Sequence, residues 1–70
     1  MKFYVGDSVT VVNINGMPDE DLESTERFLG ESGIVVMISR DTEDPELTEY
    51  LIEFDSEYGD WFLEQNLELT

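Results

Sequence analysis

Gly30-Glu31-Ser32-Gly33-Ile34-Val35-Val36-Met37-Ile38 is the stretch that decides the fold. Two glycines three positions apart mark a tight turn, because a residue without a Cβ reaches backbone angles that other residues resist. The apolar run that follows is mostly β-branched, the composition of a pleated, packed strand. A turn feeding a central strand is expected here, with other strands on either side.

Toward the N-terminus, Phe3 to Val5 is a short apolar lead stopped by Gly6-Asp7, and Ser8 to Ile14 then alternates as a strand does. Val9 and Val11 share one face; Thr10, Val12 and Ile14 share the other. Asn15-Gly16 ends the strand, and Met17 to Leu29 forms a long acidic connection. Within it, Pro18 at a first helical position, acids in the first turn, Arg27 near the end and Gly30 beyond Leu29 predict one or two helical turns.

Toward the C-terminus, Ser39 to Pro45 is a polar hairpin loop, and Leu47 to Phe54 alternates with Tyr50, Ile52 and Phe54 on one face. Asp55 to Asp60 reads as a further turn and Trp61-Phe62-Leu63 as a fourth strand. Glu64-Gln65-Asn66 reads as a single 3₁₀ turn, and Leu67-Glu68-Leu69 closes as a fifth strand. Short strands at this spacing, with turn signals between them, predict an all-β barrel of one domain over residues 1–70, with an acidic segment at 17–29 inserted between the first two main strands.

Val9, Val11, Val35, Met37, Tyr50, Ile52 and Phe54 are the expected barrel filling, with Trp61 as its cap. Val12, Ile14, Ile34, Val36, Ile38 and Leu51 are then left on the outer face, more apolar surface than a monomer normally leaves wet. The inserted segment, through Leu22, Phe28 and Leu29, is the expected cover, and a second copy or a partner protein the next.

Seventy residues without cysteine must fold on an apolar core alone. A hydrophobic fraction of 40% makes that core available. Three basic residues against eighteen acidic ones give a net charge of −15, which repels nucleic-acid phosphates and attracts basic proteins. The absence of cysteine fits a reducing compartment. The start Met1-Lys2-Phe3-Tyr4-Val5 meets Gly6-Asp7 too soon for a secretion signal, so a cytoplasmic location is expected.

Catalytic chemistry has little to work with, since the chain has no histidine, no cysteine and only Lys2 as a lysine. No enzyme activity is expected. Asp19-Glu20-Asp21-Leu22-Glu23 and Asp41-Thr42-Glu43-Asp44 are carboxylate clusters without the spacing of a calcium loop, and Gly30-Glu31-Ser32-Gly33 lacks the lysine of a phosphate cradle. No metal or cofactor is expected. Tyr58, Asp60 and Trp61 are close enough in sequence to suggest an aromatic cage for a cation, set against the simpler role of Trp61 in the core.

In order, Gly6-Asp7, Val9, Val11, the Gly30-x-x-Gly33-x-Val35 turn, Tyr50-x-Ile52-x-Phe54, Trp61-Phe62 and Leu67-x-Leu69 resemble the SH3-like barrels of the KOW and Tudor-like type. The resemblance implies five bent antiparallel strands around one core. Barrels of this type bind RNA, proteins, peptides or DNA, so the fold alone assigns no ligand. Where KOW-type nucleic-acid binders have basic loops, this chain has acidic ones. The expected function is therefore non-catalytic docking on a basic surface of a partner protein, as a nucleic-acid mimic or inhibitor, a role filled by small acidic proteins of bacteriophages and mobile elements that this chain resembles in charge and size. The residues expected to carry it are Asp19, Glu20, Asp21, Glu23, Glu26, Asp41, Glu43, Asp44, Tyr58, Asp60 and Trp61. The alternative is a structural or accessory module, homodimeric through its outer face, whose charge serves solubility only.

Overall fold

A computed structural model describes residues 2–55 and 57–70, and the side chains of all of these except Asp21, Glu57 and Tyr58. The strands are β1 (Ser8–Val11), β2 (Ser32–Ser39), β3 (Glu49–Phe54), β4 (Glu57–Leu63) and β5 (Leu67–Leu69). They form one sheet in the order β4-β3-β2-β1-β5, with every neighbouring pair antiparallel. The inserted segment holds the expected helical turns: a 3₁₀ turn at Asp19–Asp21 runs into the short helix α1 (Leu22–Glu26).

The turn at Gly30 and the strand after it form as the sequence predicts, for two different reasons. Gly30 has φ +85°, an angle that costs other residues about 1–2 kcal/mol. Gly33 lies inside β2 opposite Val9, where a Cβ would come within 2.6 Å of the Glu53 carbonyl oxygen and 2.7 Å of Ile52. One glycine therefore supplies a backbone angle and the other supplies space.

β1 is shorter than expected. The Val12 N–H leaves the ladder to donate to the Asn66 carbonyl, while Val11 exchanges hydrogen bonds with Gly30 and Glu31. Past that point Ile14 turns inward against the core rather than standing on the outer face, and Met17 packs there too. Leu47, expected in the third strand, instead ends a 3₁₀ turn at Pro45–Leu47 and is exposed.

Phe3, Val9, Val11, Phe28, Val35, Tyr50, Ile52, Phe54, Phe62 and Leu67 form the core. Three expectations are corrected by that set. Met37 is 56% exposed, because the β2–β3 register shifts between Val35 and Met37 and the odd residue, Val36, inverts the alternation beyond it. Ile38, expected outside, now pairs with Tyr50 and packs against the core. Phe62, paired with Tyr50, is a fully buried aromatic of β4, and Trp61 is only partly covered.

The insertion does not blanket the outer wall as expected. Phe28 enters the core itself, Leu29 stays 47% exposed, and Leu22 is partly buried. Val12 and Ile34 remain exposed.

Candidate functional site

The acids expected to meet a partner lie on three parts of the fold. Asp19 and Glu20 are exposed on the 3₁₀ turn, and Glu23 and Glu26 are exposed on α1. The backbone of Asp21 belongs to the same turn, and its side chain lies outside the described residues. Asp41, Glu43 and Asp44 occupy the loop between β2 and β3, and Asp60 lies on β4.

Two of these loop acids also build the loop. One Asp41 carboxylate oxygen accepts from the amides of Glu43 at 3.0 Å and Asp44 at 2.9 Å, and Asp44 accepts from the Glu46 amide at 3.2 Å to start the 3₁₀ turn at Pro45–Leu47. The loop thus holds its negative charge in a fixed geometry.

An open cleft of about 720 Å³ joins this loop to the base of the insertion. Met17 and Pro18 line one part of it, Arg40, Asp41 and Glu43 another, and Glu49 and Leu63 a third. Arg40 is a cation beside three acids in a lining that is otherwise apolar or neutral.

Two of the three residues of the suggested cage, Asp60 and Trp61, are parted by the strand that carries them. Trp61 pairs with Leu51, and Asp60 with Ile52, so strand alternation sends the two to opposite faces of β4. The Asp60 carboxylate is instead turned back on the Trp61 amide at 2.8 Å. The Tyr58 side chain lies outside the described residues.

Sequence spacing also missed a row on the outer side of the sheet. Met37 pairs with Leu51 and Leu51 with Trp61, so the three stand side by side across β2, β3 and β4. They face away from the core because their neighbours Tyr50, Ile52 and Phe62 are fully buried. Glu49 and Glu53 flank Leu51 on the same face of β3, both exposed. The signal that places Met37 in this row is the bulge at Val36, which no residue type announces.

Two polar clasps hold the frame. Asn66, fully buried, accepts from the Leu63 amide at 2.8 Å and donates to the Asn13 side chain and the Asn15 carbonyl, each at 2.9 Å. At the other clasp the Tyr50 hydroxyl donates to Glu64 at 3.0 Å, and the Lys2 amide donates to the same carboxylate oxygen at 3.2 Å. Burial pushes the Tyr50 hydroxyl above its ordinary pKa, and the hydrogen bond to Glu64 pushes it the same way.

Among the described residues, no group of three or more His, Cys, Asp or Glu side chains is arranged to hold a metal ion, and no helix is long and apolar enough to cross a membrane. No protein-family model and no curated protein matches the chain.

Proposed function

We propose that this chain is a non-catalytic acidic interaction module, an SH3-like barrel that docks on a positively charged surface of a partner protein and can stand in for nucleic acid there. The observation that carries the reading is the net charge of −15 on 70 residues, with exposed acids on the insertion, the outer side of β3 and β5. Such a charge raises the association rate with a basic partner and repels nucleic acid. The strand order β4-β3-β2-β1-β5, with a 3₁₀ turn leading into β5, supports the SH3-like assignment.

The spread of acids over several elements favours a second reading, a structural module kept soluble by its charge. Affinity capture from a cell extract at low ionic strength separates the two. Retention of a basic protein that salt releases supports docking, and retention of none overturns it.

A further inference from the structure

We infer that the Met37–Leu51–Trp61 row is the docking face, and that its occupant is a basic, extended segment of the partner carrying an apolar side chain between lysines or arginines. The inference deepens the docking reading and rests on it. Three observations carry it.

The row is only partly covered by its own chain: Met37 is 56% exposed, Leu51 and Trp61 are partly buried, and Phe28, the insertion's largest apolar residue, is used inside the core. Next, the row is framed by charge. Glu49, Leu51 and Glu53 alternate along one face of β3, an acid, an apolar residue and an acid at the two-residue repeat of a strand. A segment with cation, apolar residue and cation at the same repeat complements it position by position. Finally, the same frame disfavours a second copy, since two such faces would bring Glu49 and Glu53 against like charge between molecules each carrying −15. Charge of that sign equally disfavours nucleic acid.

The test uses the full chain and two synthetic peptides of equal charge, an oligolysine and a peptide in which leucines alternate with the lysines. Amide shifts and the fluorescence of Trp61, the single tryptophan, report binding. The leucine-containing peptide is expected to bind at least about tenfold more tightly, as one well-seated apolar side chain provides, with shifts centred on residues 37, 51 and 61. Met37→Gln is expected to abolish most of that preference; because Met37 is largely exposed, the variant keeps its fold.

Equal affinity for both peptides, with shifts confined to residues 19–26 and 41–46, would overturn the row and leave the docking reading standing. Failure of both peptides to bind at low salt would remove the docking reading as well. Self-association in sedimentation that Met37→Gln abolishes would assign the row to a second copy and overturn the inference.

Discussion

The rings of Phe28 and Phe54 stack with centroids 4.5 Å apart and planes 15° apart, and both meet Phe62 edge to face, at 6.2 and 6.1 Å. One of these rings comes from the residues just after α1 and the others from β3 and β4, so the insertion is pinned to the sheet through its core. Phe28→Ala is expected to cost about 3–5 kcal/mol, the range for deleting a buried aromatic. Urea denaturation measures it. A loss below about 1 kcal/mol would show that the insertion is not part of the cooperative unit.

Gly30 and Gly33 should respond differently to asparagine. At Gly30 the angle is left-handed and a Cβ would meet no atom within 4 Å, so Gly30→Asn, a residue that tolerates that angle, should cost well under about 1 kcal/mol. At Gly33 a side chain meets the Glu53 backbone, and Gly33→Asn or Gly33→Ala should cost about 1–3 kcal/mol or more. Thermal melts of the pair decide it; equal losses would contradict the division of roles.

Asn66→Ala should loosen the turn into β5. It leaves the Leu63 amide without its acceptor, at about 1–3 kcal/mol for a buried group left unpaired, whereas the Asn15 carbonyl keeps the Gln65 side-chain amide at 3.1 Å. Amide exchange checks the location: the Leu63 amide should lose protection before the β2–β3 amides do. Uniform loss across the sheet would contradict a local role.

Tyr50 should make the protein sensitive to alkali. Its folded pKa is raised above the ordinary value of 10.0, chiefly by burial, so the unfolded chain gives up this proton first. The stabilisation is therefore fully present below the unfolded pKa and is lost as pH rises through the folded one. Urea midpoints from about pH 8 to pH 11 should fall at the alkaline end, and Tyr50→Phe should remove that part of the fall. An unchanged alkaline slope in the variant would contradict it.

The glycine turn, the helical turns in the insertion and the inward set Tyr50, Ile52 and Phe54 are legible in the sequence, because each rests on a local rule: a backbone angle, a run of capping residues, a two-residue alternation. What the sequence does not disclose is where an alternation breaks. The extra residue at Val36 exchanges Met37 and Ile38 between the two faces, and with them the composition of the outer row. Parity likewise decides between Trp61 and Phe62: the inward position on β4 is the one opposite Tyr50, and Phe62 occupies it, which leaves the larger ring opposite Leu51. The number of acids is plain from the chain alone, whereas their spread over the insertion, the loop and β3 depends on how the strands are ordered in space.

Capture from a cell extract onto the folded chain, set beside a variant of identical charge such as Gly33→Val once circular dichroism shows that variant to be unfolded, tests the docking claim most directly. Only the folded chain should retain a discrete basic protein at about 50 mM salt and release it by about 300 mM, where surface charges are largely screened. Retention of the same proteins by both forms, or of none by the folded one, would contradict it.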